Sequence, residues 1–256
     1  MTVRKTIRFF AIFTLVTLVG CNMVNTREQI HHTVAEQRVV QPDEKILFLP
    51  IDISVHQISA GGLTEEVPEW TDMATNNVTK AILNSALAFI DLESYSIEQL
   101  DPDKKLSVEE HIALYDVVAG SAYLHTGLGS AENRWQHKSD HFDYTLGPGL
   151  SFLKEYTDAD SVLMVIGADY ETTAGRKLVW LAIAAIFGAG IPLGYSYLTA
   201  GLVDIETGNI KWLDYTVNQS TINLRDSKEA ETLVIDLFKN FPGNESITAA
   251  TSTSSY

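Results

Sequence analysis

One stretch constrains what this chain can fold into more than any other: LVWLAIAAIFGAGIPLG, Leu178 to Gly194, in an otherwise acidic sequence. A membrane span here would divide any sheet built from the residues before and after it. A helix needs about 20 predominantly apolar residues to cross the hydrocarbon layer. The uninterrupted part, Leu178 to Phe187, has ten, and Gly188, Gly190, Pro192 and Gly194 then break a helix. The run also lacks the apolar–polar alternation of a barrel strand. It therefore reads as an excursion within a folded domain, and two roles stay open. It is either part of the core or a contact patch for another subunit, a partner or a lipid surface, with Trp180, Ile183, Ile186 and Phe187 as its contact residues. The run is longer than a link between strands requires, which favours the patch.

The amino terminus carries a second apolar run. In MTVRKTIRFFAIFTLVTLVGC, Arg4, Lys5 and Arg8 precede Phe9 to Val19, the order of a secretory signal peptide over residues 1–20. Leu18-Val19-Gly20-Cys21 resembles the lipobox of bacterial lipoproteins, in which the Cys thiol receives a diacylglyceryl group. Cys21 is the single cysteine of the chain and cannot form an internal disulfide, so lipidation gives it a role. Two or three acyl chains make attachment effectively permanent. Asn22 follows, where an Asp is the inner-membrane retention signal of enteric lipoproteins. The resemblance thus implies an outer-membrane anchor facing the periplasm, with inner-membrane anchoring as the alternative.

Residues 21–41, polar and without a sustained period, read as the lipidated Cys and a flexible tether; 243–256, rich in Ser and Thr, read as a disordered tail. Between them, 42–242 suffice for a single domain with its own core. Lys45 to Ile51 reads as a strand ended by Pro50. Pro68 opens a helix with Trp70, Met73, Ala74, Val78, Ala81, Ile82, Ala86 and Phe89 on one stripe. A capping box at Ser107–Glu110 starts a second helix through Val108, Ile112, Tyr115, Val118 and Ala122, and a short one follows Pro148. Ser161 to Ile166 has the density of a central strand. Tyr197 to Ile205 and Ile210 to Val217 form a hairpin around Glu206-Thr207-Gly208-Asn209. The last helix places Ala230, Leu233, Val234, Leu237, Phe238 and Phe241 on one side. This order predicts an α/β (α+β) domain, a mixed sheet with amphipathic helices packed on it.

Chemistry-bearing clusters are few. WQHKSDHFDY brings His137, Asp140, His141 and Asp143 within seven residues, but the spacing matches no zinc pattern, and such loops are more often solvated. No G-x-S-x-G elbow occurs, and Gly188, Gly190 and Gly194 are spaced one residue too far for a dinucleotide loop. Arg176 and Lys177 could meet an anionic ligand or sit in solvent. With 18 basic and 33 acidic residues the chain repels phosphate, which excludes nucleic acid as a partner. The N-x-S/T matches at Asn77, Asn218 and Asn244 carry no weight beside a lipobox. No cofactor is expected.

GLVDIETGNIKWLD, Gly201 to Asp214, resembles the hairpin of periplasmic lipoproteins related to the curli-secretion lipoprotein CsgG, the TolB amino-terminal domain and the penicillin-binding-protein activator LpoB. ILFLPIDIS and ADSVLMVIGADYETTAGRK resemble the first and middle strands of that group, and the element order agrees over most of 45–241. None of these motifs is catalytic. The resemblance implies the fold and, with the lipobox, a non-enzymatic envelope module that binds another envelope protein or copies of itself. Two alternatives stand beside it: a metal-dependent periplasmic hydrolase using His137, Asp140 and His141, and a subunit of a CsgG-like secretion pore.

Overall fold

The computed structural model describes residues 24–34, 39–40, 44–86, 92–93, 96–126, 131–187, 194–218 and 222–242. The expected leader, Cys21 and the expected carboxy-terminal tail lie outside the described residues. Eight strands form one mixed sheet: β1 (Val24–Ile30), β2 (Ile46–Phe48), β3 (Asp52–Ile58), β4 (Thr64–Glu66), β5 (Leu92–Glu93), β6 (Ser161–Thr172), β7 (Gly194–Asp204) and β8 (Ile210–Asn218). The helices are α1 (Pro68–Ala81), α2 (Pro102–His125), α3 (Gln136–Asp140), α4 (Ala174–Phe187) and α5 (Ser227–Phe238).

β6 is the central strand. It pairs parallel with β2 and β3 on one edge and antiparallel with β7 on the other, and the sheet continues through β8 to β1. Its residues from Ser161 to Asp169 are all buried. Leu163 and Val165 face a core built with α1 and α5, while Val162, Met164 and Ile166 face a core built with α2. This is the period-2 alternation of a strand covered on both faces.

On the first face, Trp212 of β8 packs on Phe238 and Phe241, with ring centroids 5.8 and 4.7 Å apart. α5 begins where the Asp226 carboxylate accepts from the Lys228 and Glu229 N–H groups. On the second face, α2 buries Val108, Ile112, Tyr115, Ala119 and Ala122. Gly201 of β7 leaves room there, since a Cβ would stand 2.6 Å from the Tyr115 ring.

Three local readings need correction. Residues 24–30, taken as tether, form β1, in antiparallel register with β8 from Val24↔Asn218 to Ile30↔Trp212. An edge strand pairs on one side only and can be polar throughout, and the Trp212 indole N–H donates to Glu28 at 3.3 Å. Pro50 does end the first strand, β2 closing at Phe48 and a separate strand, β3, beginning at Asp52. α1 gives way to a π-helical turn, Ile82–Ala86, and Met73 is exposed; the Ala86 and Phe89 side chains lie outside those described. α2 starts at Pro102, whose missing N–H is harmless in a first turn. Ser107 is therefore interior, and its carbonyl accepts from His111 Nδ1 at 2.7 Å.

The β7–β8 hairpin closes as expected: Gly208 has φ 72°, and the Asp204 carboxylate accepts from Thr207 N–H and Oγ1, both at 2.8 Å. A Cβ at Gly208 would collide with the Gly147 main chain. Gly208→Ala should thus lower stability by more than the ~1–2 kcal/mol of a left-handed L-residue. Gly120→Ala, inside α2 with no atom within 4 Å of the added Cβ, should raise stability by about 0.5–1 kcal/mol. Urea unfolding of the two variants measures both, and a neutral Gly208→Ala would refute the turn.

Candidate interaction face at one end of the sheet

The register builds an aromatic row on the α2 side of the sheet, beyond the part that the helix covers. His56 of β3 stands beside Tyr170 of β6, which stands opposite Tyr195 of β7. Directly paired residues point to the same face. The His56 and Tyr170 rings stack at 4.8 Å and 10°, and Tyr170 and Tyr195 at 4.6 Å and 19°. Tyr195 is 43% exposed. Tyr197, two residues along, joins the same face, and burial followed by the Asp116 charge pushes its hydroxyl up to about 12.

Asp52, level with Ile166, and Asp116 of α2 border this row as exposed carboxylates. Burial and then Asp52 hold Asp116 above the usual carboxylate range. Ser196, between the two tyrosines, turns to the other face, where its hydroxyl lies 2.7 Å from Asp169 Oδ1 and 2.9 Å from the Ile222 carbonyl. Asp169 also accepts from Leu224 N–H at 3.1 Å, and burial pushes it up to about 6. That face is a structural tie: it fastens the segment before α5, where Arg225 pairs with Glu171 and lies 4.0 Å from the Trp70 ring. The Ser196 hydroxyl has a carboxylate and a carbonyl for partners, so no imidazole activates it as in a nucleophile–base pair. Aromatic faces beside carboxylates suit recognition by stacking and charge.

α4 leaves the sheet at this same end. Thr173 starts it, its Oγ1 accepting from Arg176 N–H at 3.3 Å and its carbonyl from Lys177 N–H at 2.9 Å. Leu178, Val179 and Leu181 are 67, 50 and 54% exposed, and no described α4 side chain belongs to either core cluster. The core role left open for this stretch therefore does not hold over Leu178 to Ala182. Trp180 is half-buried, 5.7 Å from the Arg176 guanidinium; the side chains of Ile183, Ile186 and Phe187 lie outside those described. The segment is helical, unlike a barrel hairpin. Among the described residues no helix is long and apolar enough to cross a membrane.

The His/Asp loop does not assemble its four residues. Asp140 accepts from Gln136 Nε2 at 2.9 and 3.0 Å, Asp143 pairs with Lys138, and His137 is exposed near Trp135. His141 instead lies against His32, ring centroids 4.2 Å apart and tilted by 32°, and His32 against His31 at 4.7 Å and 31°. Burial, then His32, lowers the His31 value. Among the described residues no group of three or more His, Cys, Asp or Glu side chains could hold a metal ion. The histidine row escaped sequence reasoning because two of its members lie in the segment taken as tether. The tyrosine row escaped it because cross-strand register is invisible in one sequence; the alternation Tyr195-Ser196-Tyr197 was its one local signal.

No family model matches the chain, and no curated protein matches it. Among solved structures it is similar to the PelC dodecamer from Paraburkholderia phytofirmans in two crystal forms, at 12 and 13% identity. The alignments cover 85% of this chain and 97 and 96% of those chains, with TM-scores of 0.35 and 0.34. Likeness at that level carries no argument about function.

Asp116 gives a pH test. Its folded-state value lies above the unfolded one, so the folded chain binds more protons between the two, and stability falls as pH rises through the folded value. Asp116→Asn should raise the melting temperature at pH 7, with the gain vanishing below the ordinary Asp value of about 3.9. A loss at pH 7, or a gain independent of pH, would contradict the assignment.

Proposed function

We propose that the chain is a non-enzymatic, lipid-anchored module of the bacterial cell envelope, held at the outer membrane through Cys21 and facing the periplasm. There it binds or positions another envelope component, or further copies of itself. The observation that carries this reading is Leu18-Val19-Gly20-Cys21 behind a basic and then apolar leader. The resemblance of the β7–β8 hairpin to the CsgG, TolB and LpoB group supports it. So does a partly exposed aromatic row bordered by carboxylates.

Under this reading the row of His56, Tyr170 and Tyr195 is the binding face. The anchor is tested by feeding cells a fatty-acid analogue. The wild type should incorporate the label at Cys21 and Cys21→Ser should not, remaining unprocessed or mis-localised. Equal labelling of the two would overturn the reading.

A further inference from the structure

The strand register places the chain's entry from Cys21 and the apolar helix at one rim of the sheet. Val24 is level with Asn218, Asn218 with Ser196, and Ser196 with Asp169. Asp169 is three residues from Thr172, where β6 ends and α4 follows after one residue. Cys21 precedes Val24 by three residues, and three residues span at most about 11 Å. The same rim carries the β3–β4 turn, because Ile58 is level with Thr172. Leu63 in that turn is 76% exposed, and Arg176 Nη1 of α4 donates to the Ser59 carbonyl at 3.4 Å, joining turn to helix.

We infer that α4, with Leu63, lies in the membrane surface as an interfacial helix, its exposed residues Leu178, Val179 and Leu181 among the lipid and half-buried Trp180 at the edge of that contact. This rests on the anchor proposed above, which with so short a link would hold this rim against the bilayer. Two further observations favour lipid as the occupant. α4 carries Arg176 and Lys177 and no acidic residue, in a chain with a net charge of -15, and cations beside an apolar face suit anionic headgroups. Fourteen residues give a helix about 21 Å long, too short to span and long enough to lie in the interface. Glu65 and Glu66, level with Gln57 and His56, are exposed carboxylates at the same rim, so the cations that meet the headgroups are those of α4.

The test uses the processed full chain in phosphatidylethanolamine–phosphatidylglycerol vesicles, with and without bromine on the acyl chains. Tryptophan emission should fall in brominated vesicles, and Trp180→Phe should remove at least half of that fall. Trp212 is fully buried and stays silent, while half-buried Trp70 and exposed Trp135 serve as the background. Quenching that is absent, or unchanged by Trp180→Phe, would overturn the inference. So would a multimer in detergent that dissociates on Leu178→Glu, which would make a second copy the occupant. Fatty-acid labelling of the same preparation separates the two readings: an acylated but unquenched chain refutes only the helix, and a quenched chain without acylation refutes only the anchor.

Discussion

The rest of the fold depends on the burial of β6 on both faces. A strand covered twice is apolar except where a buried polar group finds a partner, as Ser161 and Asp169 do, and it hands alternate side chains to two cores. Leu163 and Val165 lock the α1–α5 layer to one side, and Val162, Met164 and Ile166 the α2 layer to the other. Because β6 runs parallel to β2 and β3 and antiparallel to β7, its far end brings together three pieces distant in sequence: the β3–β4 turn, α4 and the start of β7.

That convergence gives the rim its character. Below it, helices cover the sheet; at the rim the α2 face opens and leaves His56, Tyr170 and Tyr195 stacked and partly exposed. The opposite face is closed by the Asp169–Ser196 contact and the segment leading into α5. One end of a single sheet thus carries a structural tie, an aromatic row with carboxylates and an apolar helix. On the proposed function these are a support, a binding face and a membrane contact.

Much of this was legible in the sequence, and the boundary is physical. Ser161 to Ile166 announced the central strand because double burial leaves its positions after Ser161 apolar without interruption, and the hairpin was readable because Thr207-Gly208-Asn209 meets a turn's backbone demands. The helix stripe of α5 matched its buried residues. β1 was illegible, since an edge strand needs no apolar alternation and VNTREQI offers none. The capping box at Ser107 misled because Pro102 supplies an earlier start at equal ease. The rows of stacked rings depend on register, which is set by tertiary pairing rather than by local pattern.

On the proposed function, the chain enters the sheet at Val24, three residues after its anchor at Cys21, and this puts the anchor, the aromatic row and α4 at one rim. Amide hydrogen exchange of the membrane-attached protein over Val24 to Ile30 tests it most directly. Pairing with β8 predicts protection of this segment's ladder amides comparable to their β8 partners. Exchange at the rate of an unstructured peptide would contradict the claim, because a free segment there would release the rim from the membrane.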